Sequence, residues 1–232
     1  SIVSMMDILK GKSMASAAMN RKDTTSDGID KILQGAMSLQ TQGMMTEAEN
    51  LYRKVLKKFP GHPGTLRLMG ILSHQVGRGA DESIAYLREA LAADPAFALA
   101  HKNIGFILCK ELRVEEAIFH FGEAARLLPD DIECRLESAR LLDEAGEHDQ
   151  ALSIYREIIV IDESDPRAYR GIGKILAVSG LEADKIEAVN ALKQATKIGF
   201  DDHITMLHAA TLYAEMKYVD LAAETFERAI EL

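Results

Sequence analysis

The chain has 232 residues, of which 47% are apolar and 27% charged, with a formal net charge of -9. That balance disfavours bulk nucleic-acid binding, because a phosphate surface would meet net negative charge. No apolar run reaches the roughly 18 residues a membrane helix needs, and the N-terminus lacks a basic stretch followed by an apolar core. A cytoplasmic chain without membrane insertion is expected.

Residues 1–28 read as an extension. A short helix is expected over residues 2–10, opened by Ser4 with Asp7 three residues on. Residues 11–28, rich in Ser, Ala, Met, Lys and Asp, read as a linker.

From residue 29 to residue 232 one pattern recurs with a period of roughly 34 residues, the mark of a helical repeat array. Units start at Ile29, Pro63, Ala98, Ile132, Pro166 and His203, the last one truncated. The clearest copy reads Ile104, Gly105, Leu108, Ala117, Phe121, Ala124 and Pro129. Each unit predicts two amphipathic helices. Small residues recur where antiparallel helices must approach closely: Ala36 and Ala48, Gly70 and Ala90, Gly105 and Ala117, Ala139 and Ala151, Gly173 and Ala188, Ala210 and Ala222. Gly43, Gly77, Gly146 and Gly180 fall where the first helix must end on a left-handed residue, with Leu112 and Lys217 replacing glycine in the third and sixth units. Pro60, Pro95 and Pro129 close the second helices. Glu163 and Phe200 stand in that place in the next two units, so sharper exits are expected from the first three. The second unit carries an extra residue near Gly79 and Ala80, placing Ser83 where alanine is expected. About three extra residues in 181–187 predict that the fifth unit has the longest inter-helix connection.

From residue 29 onward this register resembles the tetratricopeptide repeat (TPR) family. The resemblance implies an all-α fold, a right-handed α-α superhelix of about six helix-turn-helix repeats. It also implies that the first helices line the concave face, with their second, fifth, sixth, ninth, twelfth and thirteenth places pointing inward. In this chain those places give Asp30, Leu33, Gln34, Met37, Gln40 and Thr41 in the first unit. The second and third give a basic stretch with an apolar floor: Arg67, Ile71, His74 and Gln75, then Lys102, Asn103, Phe106 and Lys110. The fourth reverses sign with Glu133, Glu137, Asp143 and Glu144 around Arg140, and the fifth reverses again with Arg167, Arg170 and Lys174 around Gly171. Such a groove would steer a peptide of opposite charge order. The alternative is a solvated face whose acids and bases pair between adjacent units.

Two narrower family functions leave no trace. The Lys and Asn clamp of chaperone-tail binders would fall on Leu33 and Met37 in the first unit. The asparagine ladder of glycosyltransferase superhelices would run through Gln34, Leu68, Asn103, Glu137, Gly171 and His208, which holds one asparagine.

No catalytic, cofactor-binding or metal-binding residue is predicted. The seven histidines show no pairing that would orient a nucleophile or complete a metal site. His203 and His208 are not an i, i+4 pair, and His120 is expected at the surface. Gly77, Arg78 and Gly79 read as an inter-helix turn. Cys109 and Cys134 belong to no ligand cluster and are expected to stay reduced. The expectation is a non-catalytic scaffold that binds a peptide or helix of a partner protein in the concave groove. The alternative is the substrate-recruiting region of a larger enzyme, of glycosyl- or sulfo-transferase type, since the chain reads as a piece of something longer. Self-assembly through the N-terminal segment or the uncapped C-terminal end is a further reading.

Overall fold

In the computed structural model the described residues are 24–179, 181–199 and 203–231, and they form twelve α-helices without a strand. The expected helix over residues 2–10, Gly180 and Phe200 lie outside them. The chain divides into two compact units, residues 1–55 and 56–232.

The first unit holds α1 (Thr24–Thr41) and most of α2 (Met45–Lys58). Helix α1 starts at Thr24, so the expected linker is already helical before residue 28. Ala36 and Ala48 are fully buried. The buried Tyr52 hydroxyl donates to Gln40 Oε1 at 2.8 Å. Gln40 is therefore spent on the hairpin interior, where a buried amide needs a partner.

The second unit is a row of hairpins. These are α3 (Pro63–Gln75) with α4 (Ala80–Ala93), α5 (Ala98–Lys110) with α6 (Val114–Leu127), α7 (Ile132–Glu144) with α8 (His148–Ile161), α9 (Pro166–Ala177) with α10 (Glu182–Lys197), and α11 (His203–Glu215) with α12 (Val219–Glu231). The five first helices begin on the residues at which the sequence register starts its units. Ala90, Ala117, Ala124, Ala139, Ala151, Ala188 and Ala210 are all fully buried. A Cβ on Gly105 would sit 2.9 Å from the Phe121 ring, and one on Gly173 would sit 2.5 Å from Leu192. The small places are where the large residues of the second helix land. Two apolar clusters result, one around Leu87, Ile104, Leu108 and Phe121, the other around Tyr155, Ile158, Ile172 and Tyr213.

Every first helix of the unit whose turn is fully described, α9 apart, closes the same way. A left-handed residue is followed by an amide that donates to the carbonyl five residues back: Arg78 to Ser73 at 3.0 Å, Arg113 to Leu108 at 3.0 Å, Glu147 to Leu142 at 2.8 Å, and Tyr218 to Tyr213 at 2.8 Å. This geometry satisfies the last carbonyls of the helix. It holds Gly77 and Gly146 at positive φ, and it forces the same on Leu112 (φ 58°) and Lys217 (φ 63°), where a side chain is disfavoured.

Two expectations are corrected. Helix α8 ends at Ile161, two residues before Glu163, just as α6 ends at Leu127 two residues before Pro129. Asp162 replaces the proline's effect, its Oδ1 accepting from the Ser164 amide at 2.9 Å and the Ser164 hydroxyl at 2.6 Å, an Asx turn that gives the backbone a non-helical alternative. The extra residues of the fifth unit mostly enter α10, which has 16 residues, and the connection from α9, residues 178–181, matches residues 76–79 of the second unit in length and is one residue longer than those of the third, fourth and sixth. The Ser179 hydroxyl donates to Asp184 and accepts from the Leu181 amide at 3.2 Å, and Glu182 and Asp184 add favourable charge at the helix start.

Candidate functional site

Charged side chains on the first helices of the second unit are largely engaged with one another. Lys102 on α5 is mostly buried and donates to Asp131 Oδ2 at 2.7 Å. Asp131 also caps α7, accepting from the Cys134 amide at 3.3 Å. Arg67 and Asn103 are buried between α3 and α5, with an Arg67 Nη1 to Asn103 Oδ1 bond of 3.3 Å. Lys110 Nζ faces His74 Nε2 at 3.4 Å. Burial, reinforced by the Lys110 charge, lowers the pKa of His74, which suits a neutral ring accepting that bond.

The fourth and fifth units continue the pairing. Burial works against the Arg140 charge, but bonds to Glu137 at 2.8 Å and Glu144 at 2.7 Å outweigh it and raise its pKa. Arg167 bridges Asp165, the cap of α9, at 2.7 Å and Glu133 of α7 at 3.0 Å. Arg170 is exposed. Lys174 donates to Asp143 Oδ2 at 2.7 Å. Gly171 is a packing contact, since a Cβ there would collide with the Tyr155 ring. Burial and the Asp143 carboxylate push the Tyr155 phenol up to about 12. Phe106 lies against Phe121, with ring centroids 5.0 Å apart and edge to face.

Among the predicted residues, Arg67, Lys102 and Asn103 are buried or mostly buried in the scaffold, whereas Arg167 and Lys174 are ion-paired yet keep surface, as do His74, Phe106, Lys110, Glu137, Arg140 and Arg170. An opening lies in this wall. A half-open cleft of about 520 Å³ lies between α7, α9 and α11, within the range of small-ligand and side-chain pockets. Ile175, Ala177, Val178 and Leu212 form its apolar part. Asp143, His148 and Lys174 stand on one side, and His208, Thr211 and Glu215 on the other. His148 Nδ1 is 3.2 Å from Asp143 Oδ1, so one almost buried carboxylate gathers both donors.

The cleft was not read from the sequence, although its signal is there. The ninth place of the first helix carries Ile71, Phe106, Arg140 and Lys174 in successive units, then the small Thr211. A further correction concerns His120. His101 on α5 and His120 on α6 are paired, Nδ1 to Nδ1 at 2.9 Å, and His120 is half-buried rather than at the surface. Burial, then the neighbouring His101, pulls the His120 pKa down to about 4. Cys109 and Cys134 are both free thiols, and burial pushes Cys134 up to about 12, which makes it inert. Among the described residues no group of three metal-ligating side chains converges, and no helix is long and apolar enough to cross a membrane.

The tetratricopeptide repeat family matches residues 32–62, 108–175 and 205–232, together more than half of the chain. The chain belongs to the tetratricopeptide repeat family, and its fold is the all-α helical solenoid of that family. It is 23% identical over 194 residues to the TPR repeat-containing protein YpiA of Bacillus subtilis (strain 168), a match covering 84% of this chain and 45% of YpiA. The chain spans less than half the length of the curated relatives it matches. Among solved structures it is similar to MamA, with 27% identity, a TM-score of 0.61, and coverage of 70% of this chain and 93% of that one. It is also similar to YrrB, described as a TPR protein with an unusual peptide-binding site, with 19% identity, a TM-score of 0.65, and coverage of 78% and 91%.

Proposed function

We propose that this chain is a non-catalytic scaffold that holds a segment of a partner protein against the first helices of its second unit, the concave wall of the family. The cleft between α7, α9 and α11 carries this reading, because a side-chain-sized apolar opening beside hydrogen-bonding groups is what peptide recognition requires. The wall extends from His74, Phe106 and Lys110 through Glu137 and Arg140 to Arg170 and Lys174. The engaged ion pairs fix register more than they add affinity. Free thiols at Cys109 and Cys134 fit work in a reducing cytoplasm.

Amide hydrogen exchange of the full chain, with and without a partner captured from the native host, tests this. Protection is expected on α5, α7, α9 and α11; protection confined to α6, α8 and α10 overturns it. The second reading, a recruiting region of a larger glycosyl- or sulfo-transferase, draws support from the short share of each curated relative that the chain spans. Sequencing the full reading frame decides it.

A further inference from the structure

We infer that the cleft between α7, α9 and α11 selects a cationic amphipathic segment of a partner protein, one large apolar side chain seated in it and Lys or Arg residues beside it. This rests on the first-helix reading above and gives it a ligand chemistry, the opposite of a wall that works through its basic residues.

The apolar part reaches open surface at Val178. Val178 lines the cleft and is 80% exposed. Leu181 on the same turn is 65% exposed, and Tyr218 and Val219 on the next turn are 45% and 70% exposed. Isolated exposed apolar residues are ordinary, but an exposed valine that lines an apolar cleft, with further exposed apolar residues on the turns that follow α9 and α11, is a docking feature. A seated aliphatic or aromatic side chain would be removed from water on the Ile175, Val178 and Leu212 side, the dominant favourable contribution.

Charge sets the flanks. The one lysine of the cleft, Lys174, is already held by Asp143 at 2.7 Å. Glu215 lines the opposite side, 3.8 Å from the Lys185 ammonium. Glu144 and Glu147, which adjoin Asp143 and His148 in the chain, and Asp149 are exposed; Arg140 shares Glu144, and Gln150 donates to Glu147. The lining holds two carboxylates, Asp143 and Glu215, against one lysine, so a cationic flank gains attraction and an anionic one is repelled. In the third unit the large Phe106, packed on Phe121, takes the ninth place that the small Thr211 holds in the sixth.

The test uses the full chain and three fluorescent synthetic twelve-residue peptides: one with Leu and Phe anchors and Lys flanks, one with the same anchors and Glu flanks, and one with Ser for the anchors and Lys flanks. Anisotropy titration is expected to show the Lys-flanked anchored peptide binding at least about tenfold more tightly than either other. Val178→Lys, at a position too exposed to threaten folding, should weaken it about tenfold, and Thr211→Phe should do the same by filling the cleft. Glu215→Lys should weaken it about threefold at low salt, a difference that narrows as salt screens the charge. The inference is overturned by equal binding of the Glu-flanked peptide, by unchanged affinity in Val178→Lys, or by no saturable binding up to about 1 mM. It is also overturned if Val178→Lys converts a self-associated chain to monomer in sedimentation, which assigns the cleft to a second copy. Protection by the peptide on α5 and α7 without sensitivity to Val178→Lys would sink this inference and keep the first-helix reading; protection only on second helices would sink both.

Discussion

The wall of first helices treats its charges differently in its third and its last two units. On α5, Lys102 is spent on Asp131, and Phe106 packs edge to face against Phe121. On α9 and α11 the lysine is equally engaged, but Thr211 leaves a cleft with apolar residues open beside it. The contrast shows that in a stacked repeat the identity of an inward side chain matters less than whether the neighbouring unit has already claimed it. A row of cations can be mortar between units. A single small residue can make a site.

Four perturbations test that contrast, beginning with the tightest contacts. Gly171→Ala would drive a methyl group into the Tyr155 ring and should cost about 1–3 kcal/mol in chemical denaturation, as overpacking does elsewhere. An unchanged midpoint would mean that α8 and α9 are less closely nested than the structure has them. Lys102→Glu should cost about 1–2 kcal/mol by placing a second carboxylate against Asp131, in a pair whose side chains are only 12% and 20% exposed. The same variant should leave binding of the Lys-flanked peptide within about twofold, since binding and stability respond to different ends of the wall.

The histidine pair gives a pH dependence with a defined sign. His120 titrates at about 4 in the folded chain against an ordinary 6.5, so between those values the unfolded chain binds more protons and stability falls as pH falls. Glu116 and Glu123 face the ring with opposing sign to Arg88, and His101 shares the loss. His120→Phe should therefore reduce the drop in thermal midpoint between about pH 7 and pH 4.5 by a few degrees. The smallest expected effect is a gain. Leu112 holds φ 58° and is 83% exposed, so Leu112→Gly relieves a strained backbone without losing a packed side chain and should stabilise by about 0.5–1 kcal/mol.

Much of the architecture is legible because repeat packing needs few residue types in fixed places. Pro63, Ala98, Ile132, Pro166 and His203 open helices where the register puts them, and the buried alanines stand where hairpins must nest. What escapes is partnership across the period. Asp131 and Asp165 sit just before helices, where they read as caps, and nothing in the spacing says that they also take Lys102 and Arg167. His101 and His120 are nineteen residues apart on the two helices of one hairpin, so only a pairwise comparison of facing places would have joined them. The added residues of the fifth unit read as loop because loops tolerate insertion, whereas Ser179 and Asp184 give them a helix start.

The most direct test places one photo-crosslinking residue at the thirteenth place of a first helix in three separate full-length variants, replacing Gln75, Lys110 or Val178. With the Lys-flanked peptide added, the account predicts the dominant covalent adduct at position 178 and weaker ones at 75 and 110. Adducts at 75 and 110 with none at 178 would contradict it and return the binding surface to the basic stretch of α3 and α5.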